Sequence, residues 1–331
     1  MGNLRYCHVV ERITPEMKSA LEEIPSRGGM YNWLFVHKGC MRTLNDLRAS
    51  GDFEKYDVLQ VNLSPVDQMI IKELRDTLPK SSSTLLIGNN DYVTESWDSW
   101  GQHPLQYQHY QGFADGVFGT EPYQVSNMIE GAYCIPHPHR IEVLKRIGND
   151  DLELDKFKIG ILYHWWEGRS YHQSLLMSRL RAKYPKLVSR VYGYYRPDKD
   201  KSAAWARVMF DNMMPLMQFP AFMRSLMTNR LILEQCSYHT YGRTTVDTAA
   251  LGIPSIGTDR VFSMRHCWKN MCCDPFDQKK LLELADKVLK GGEWLQEQVD
   301  YARESCEYFN YDNSRQRYLA MVEDVRKRVG K

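Results

Sequence analysis

A chain of 331 residues exceeds one ordinary domain and fits two of about 150 residues each. With 43% hydrophobic and 25% charged residues it has apolar material for two cores, which excludes a disordered chain. A formal net charge of +2 neither demands nor excludes a nucleic-acid partner; no signal-peptide core opens the sequence and no apolar run reaches membrane-spanning length, so a cytoplasmic chain is expected.

Tyr56 to Asn62 reads as a buried strand. Ser64 then stands ready to cap a helix and Pro65 to occupy its first position. Val66, Met69, Ile70, Leu74 and Leu78 recur at helical spacing. Thr84 to Gly88 is a second strand, followed by a polar loop, Asn89-Asn90-Asp91. Short apolar pieces follow at Gly116 to Phe118 and Ala132 to Ile135. Strands separated by amphipathic helices imply right-handed β-α-β units and a parallel sheet.

Ile135-Pro136-His137-Pro138-His139 interrupts the alternation, and a helix from Ile141 to Ile147 and an acidic stretch to Asp155 come next. The domain boundary is placed there, giving domains 1–150 and 151–310 and a terminal helix, 311–331, packing back towards the first. The alternation then restarts. Phe157 to Tyr163, Val188 to Tyr194, Arg230 to Glu234 and Ile253 to Ile256 read as strands. Tyr171 to Tyr184, Phe219 to Met227 and Thr244 to Leu251 read as helices, and Gln278 to Arg328 is helical with a break at Gly291-Gly292. Two such halves predict two Rossmann-like domains, with ligand at the carboxyl ends of the strands in a cleft between them.

The eight cysteines form no C-x-x-C pair, so no metal site is expected, and they suit a reducing compartment. The most informative stretch runs from Tyr238 to Thr258. A strand ends near Glu234, a loop with Gly242 opens a helix, and Gly252 closes it. The amides of Arg243, Thr244 and Thr245 in its first turn make an anion site, and Gly242 lets a phosphate approach the backbone. Arg243 adds charge and the two threonine hydroxyls add donors. Asp247, one turn on, can accept hydrogen bonds from a ribose diol. A diphosphate beside a ribose describes a nucleotide-sugar; a plain helix-to-strand connection has the same local pattern.

This segment resembles the C-terminal signature of the GT-B glycosyltransferases that use nucleotide-sugars, a family including sucrose-phosphate and glycan-building enzymes. That signature is an acid, seven residues, a second acid, a small-residue helix and G-x-P. Here it reads His239, seven residues, Asp247, then Thr248-Ala249-Ala250-Leu251-Gly252-Ile253-Pro254. Asn90-Asp91 stands where the family often has His-Asp, Ile135 to His139 where it has its hinge, and Asp274-Pro275-Phe276-Asp277 where it enters its penultimate helices. The departures are His239 for the first acid, the shorter Asp247 for the second, and His164 and Arg169 where the family holds the diphosphate with Arg and Lys.

The resemblance implies a GT-B fold, two Rossmann-like domains facing across a cleft, and transfer of a hexose-type sugar to a hydroxyl acceptor. It implies a donor site of His164, Arg169, Gly242, Arg243, Thr244, Thr245 and Asp247, with His239 on the donor sugar. No Asp-x-Asp stands at the end of a strand, so metal-independent stabilisation of the leaving diphosphate is expected, with no cofactor besides the co-substrate. Asp91 is a candidate acceptor-side base or a turn former. Trp97, Trp100, Trp165 and Trp166 are candidate stacking surfaces or core residues. The first reading of the acceptor is a glycan, lipid-linked or small-molecule hydroxyl. A second reading is a hydroxymethylated base in DNA, drawn from the basic stretch Arg169, Arg179, Arg181, Lys183, Lys186, Arg190, Arg196, Lys199 and Lys201. A third is a non-catalytic nucleotide-sugar binder on the same scaffold.

Overall fold

The structure is a computed structural model that describes residues 4–14, 31–63, 68–79, 81–91, 104–150, 155–162, 171–192, 210–215 and 217–331. The chain forms two compact units: Met1–His139 with Phe309–Lys331, and Arg140–Tyr308. Each is built on one six-stranded parallel sheet.

In the first unit the strands are β1 (Tyr6–Val10), β2 (Cys40–Thr43), β3 (Val58–Asn62), β4 (Leu85–Asn90), β5 (Gly116–Gly119) and β6 (Tyr133–Cys134), ordered β2-β1-β3-β4-β5-β6. Every residue of β1, β3 and β4 is buried, as strands covered on both faces require. One face packs Cys7, Val9, Leu59, Val61 and Leu86 against Leu47, Ile71 and Leu74 of the helices Leu44–Ser50 and Gln68–Thr77. The former starts at a capping box of Thr43 and Asp46. The other face packs Tyr6, Val58, Ile87 and Phe118 against Trp33 of the helix Asn32–His37 and Tyr318, Met321, Val322 and Val325 of the C-terminal helix Tyr311–Val329. Gly116 gives that helix its approach: a Cβ there would lie 2.6 Å from Val325 Cγ2.

The unit boundary falls at His139, ahead of the helix Ile141–Ile147, rather than behind it at 150. That helix packs on the helix Arg243–Leu251 of the second unit, and a Cβ at Gly148 would lie 3.0 Å from the Leu251 carbonyl. The Asn89-Asn90-Asp91 loop also differs from expectation. Asn89 and Asn90 end β4 itself, fully buried, because Asn62 and Gly119 on the flanking strands continue the ladder. Only Asp91 lies beyond it.

The second unit holds β7 (Asp155–Leu162), β8 (Val188–Tyr192), β9 (Asn212–Met213), β10 (Asn229–Glu234), β11 (Ser255–Thr258) and β12 (Cys272–Cys273), ordered β12-β11-β10-β7-β8-β9. The chain runs outward from β7 through β8 and β9, then returns to the other side of β7 and runs outward again. β7 and β10, paired from Leu231–Ile159 to Leu233–Ile161, therefore flank a topological switch point. Parallel sheets of this kind bind their ligands at the carboxyl ends of the strands that flank such a point. No described helix is long and apolar enough to cross a membrane.

Candidate functional site

β10 ends at Glu234, and residues 235–242 lead from it into the helix Arg243–Leu251. Thr258 Oγ1 ties the start of this loop by accepting from the Cys236 amide at 3.3 Å and donating to the Cys236 carbonyl at 2.5 Å. The loop is then stitched to the segment after β11. The Thr240 amide donates to the Arg260 carbonyl (3.1 Å), the Phe262 amide to the Thr240 carbonyl (2.8 Å) and the Ser263 amide to the Tyr241 carbonyl (3.0 Å). Two consecutive βα loops thus form one ledge at the carboxyl edge of the sheet.

Gly242 closes the ledge with φ +75° and ψ +62°, a left-handed conformation that favours glycine. A Cβ there would lie 2.0 Å from Val261 Cγ1 and 2.7 Å from Ser263 Oγ, so the position is closed to a side chain on two counts. Its carbonyl receives the Thr245 hydroxyl and the Ser263 hydroxyl, each at 2.5 Å, and the Thr245 amide at 3.2 Å. The two hydroxyls also touch each other, so their two protons are shared among the three contacts. No side chain caps the helix and its first turn holds no acid, so its positive end is not neutralised from within its own turn.

Thr245 differs from its expected role. It is fully buried, with amide and hydroxyl turned onto the Gly242 carbonyl, so it builds the turn instead of facing an anion. Gly242, Arg243 and Thr244 are half-buried at the helix start, and His239 is half-buried three residues earlier. Asp247 is 3% exposed and, like His239 and Arg243, has a partner within the protein. His164 and Arg169 lie outside the described residues, as do Trp97, Trp100, Trp165 and Trp166. The strand that leads towards His164 and Arg169 is β7, hydrogen-bonded beside β10.

Asp91 belongs to the first unit, just past β4. Its Oδ1 lies 2.5 Å from Nε2 of His137, which is 2% exposed between Pro136 and Pro138. The imidazole's backbone is pinned on both sides. The Ile135 amide donates to the Gly119 carbonyl (2.9 Å), Asn32 Nδ2 to the Pro138 carbonyl (2.8 Å) and the His139 amide to the Phe309 carbonyl (2.7 Å). The sequence does not mark this pairing, nor the parts played by Thr258, Val261 and Ser263; the hydroxyl residues at the end of β11 and after it, Thr258 and Ser263, are the available signal.

The described part of the basic stretch is largely spent on local partners. Arg181 bonds Asp211 and Ser189 Oγ, Lys183 lies 2.5 Å from Asp286, Arg190 donates to Thr228 Oγ1 at 2.6 Å, and Lys186 sits over the Phe157 ring. Arg196, Lys199 and Lys201 lie outside the described residues.

No protein-family model matches the sequence, and no curated protein matches it. Solved structures do. The α,α-trehalose-6-phosphate synthase of Burkholderia multivorans superposes with a TM-score of 0.71 at 7% identity, covering 99% of this chain and 100% of its own. Sucrose-phosphate synthase from Thermosynechococcus elongatus gives 0.66 at 13% identity, covering 91% of this chain and 80% of its own. TarM gives 0.62 at 12% identity over 80% of this chain, which spans 54% of TarM's length. Identities this low speak for architecture. Two units, each a six-stranded parallel sheet with a switch point and flanking helices, have the GT-B fold.

Proposed function

We propose that this protein is a glycosyltransferase that moves a hexose-type sugar from a nucleoside-diphosphate donor to a hydroxyl acceptor. The observation that carries the reading is the uncapped helix start at Gly242–Arg243, held open by a left-handed glycine at the switch point of the second sheet. An anion there meets backbone amides and the positive end of the helix together. When the bond from the sugar to the diphosphate breaks, charge grows on the departing phosphate oxygen. The amides of Arg243 and Thr244 and the Arg243 guanidinium counter that charge, and Arg169 and His164, which follow β7 in the sequence, are the further candidates for this role. One such preorganised donor changes a rate by about 100- to 1,000-fold. Asp247 binds the ribose and His239 the donor sugar. The leaving group is stabilised by these groups without a metal ion.

A uridine diphosphate sugar is the donor to test first. The E. coli trehalose-6-phosphate enzyme has been seen with UDP-2-fluoro glucose and S. aureus TarM with UDP. The acceptor is a hydroxyl handled by the first unit, where Asp91 is the candidate base. UDP-glucose and UDP are expected to raise the melting temperature, since a ligand that binds only the native state stabilises it. Slow release of UDP from UDP-glucose without added acceptor is expected alongside. The absence of both a shift and turnover across a panel of nucleotide-sugars sinks the proposal.

A further inference from the structure

Cys7 and Cys40 face each other in the first unit. They are register partners of the parallel strands β1 and β2, so both side chains leave the same face of the sheet. Neighbouring strands lie about 4.8 Å apart, within the roughly 4.4–6.8 Å that separates the Cα atoms of a disulfide. Cys7 is wholly buried in the core that contains Leu59, Val61 and Leu86; Cys40 is half-buried against that core on the outermost strand. The Cys7 thiol donates to the His8 carbonyl at 3.8 Å, and Cys40 Sγ lies 3.4 Å from the Tyr56 hydroxyl. One sulfur is thus reachable from the sheet edge and the other waits behind it.

We propose that Cys7 and Cys40 are a peroxide-sensitive thiol pair, with Cys40 as the nucleophile and Cys7 as the resolving thiol, closing to a disulfide that ties edge strand β2 to β1. The Cys40 thiolate attacks one oxygen of the peroxide. The O–O bond breaks, hydroxide leaves and is protonated to water, and Cys40 becomes a sulfenic acid. The Cys7 sulfur then attacks the Cys40 sulfur, and the sulfenic hydroxyl departs with the Cys7 proton as a second water. Two thiols and one peroxide give one disulfide and two waters.

The electrostatics of five other cysteines support the selectivity, and Cys236 is wholly buried. The neighbouring Cys7 thiol, aided by Tyr56 and Arg42, holds Cys40 below the ordinary thiol range despite burial. Burial foremost pushes Cys134 and Cys272 up to about 11 and Cys273 and Cys306 up to about 12, and it drives Cys267 well above its ordinary value. A thiolate is the reactive form, so peroxide finds Cys40 first.

The test is one equivalent of hydrogen peroxide on the native full-length chain near neutral pH, followed by peptide mapping. The expected product is a Cys7–Cys40 cross-link, two hydrogens lighter than the thiol pair and reversed by dithiothreitol. In Cys7→Ser, Cys40 is expected to accumulate as a sulfenic acid that dimedone traps. Brief alkylation of the native chain without oxidant is expected to label Cys40 about tenfold faster than any other cysteine. A cross-link between another pair overturns the proposal, as does a sulfenic acid at Cys40 without a cross-link in the native chain, or a peroxide reaction that spares both. Mapping of the native chain decides the matter even if Cys7→Ser does not fold.

Discussion

Gly242 is the residue at which backbone geometry and proposed chemistry meet. Its φ of +75° disfavours any side chain, and the space a Cβ needs is filled by Val261 and Ser263. Gly242→Ala is therefore expected to cost on the order of 1–3 kcal/mol of stability and to abolish the thermal shift given by UDP-glucose, because the ledge between 240 and 263 must move. Denaturant unfolding and the ligand shift, measured on one preparation, check both. Ser263→Ala is the milder companion. It removes one of two hydroxyls at the Gly242 carbonyl, leaves the backbone angle alone and should cost about 1 kcal/mol, with the UDP-glucose shift retained. If both variants behave alike, the glycine's conformation is not what holds the site open.

At the scale of elements, sequence and structure agree best where packing is strongest. The helices Ile141–Ile147 and Phe219–Met227 fall where apolar spacing places them, and the helix after Gly242 begins one residue before the expected Thr244. β1 and β2 gave no sequence signal that was read as strand. β2 is Cys-Met-Arg-Thr, half-buried at a sheet edge, and neither its composition nor its alternation marks it. Asn89-Asn90 reads as a loop because asparagine favours turns, yet neighbouring strands supply its backbone partners. The site shows the same division. A glycine before a helix start is visible in sequence, whereas the contact of 240–242 with 260–263 and the Asp91–His137 pair, 46 residues apart, depend on which strands lie side by side. The C-terminal helix carries the element-scale prediction. Tyr318 is fully buried among Tyr6, Trp33, His37 and Phe118, and its hydroxyl donates to Gln60 Oε1 at 2.9 Å. Tyr318→Ala is expected to lose about 3–5 kcal/mol, and Tyr318→Phe about 1 kcal/mol. Equal losses in denaturant unfolding would mean that the hydroxyl, not the ring, seats the helix.

The two units bring different responses to the whole molecule. In the first, burial holds His8 down to about 4 and His37 down to about 3, so both are neutral in the folded chain at neutral pH. Once unfolded, each titrates near 6.5. Above that pH both states are neutral and the histidines contribute nothing to its pH dependence. Between 6.5 and about 4 the unfolded chain binds more protons, so stability falls as pH falls, by about 1.4 kcal/mol per pH unit for each histidine. UDP-glucose acts elsewhere if the proposed donor site is right, because the ledge lies in the second unit. A chain of two compact units need not unfold in one step. Calorimetry from pH 7.5 to pH 5 should therefore show an acid-sensitive transition that His8→Gln makes less steep, and a second transition that UDP-glucose raises. A pH response unchanged by His8→Gln would show that this buried imidazole does not govern the first unit's acid sensitivity. UDP-glucose raising only the acid-sensitive transition would move the donor site out of the second unit.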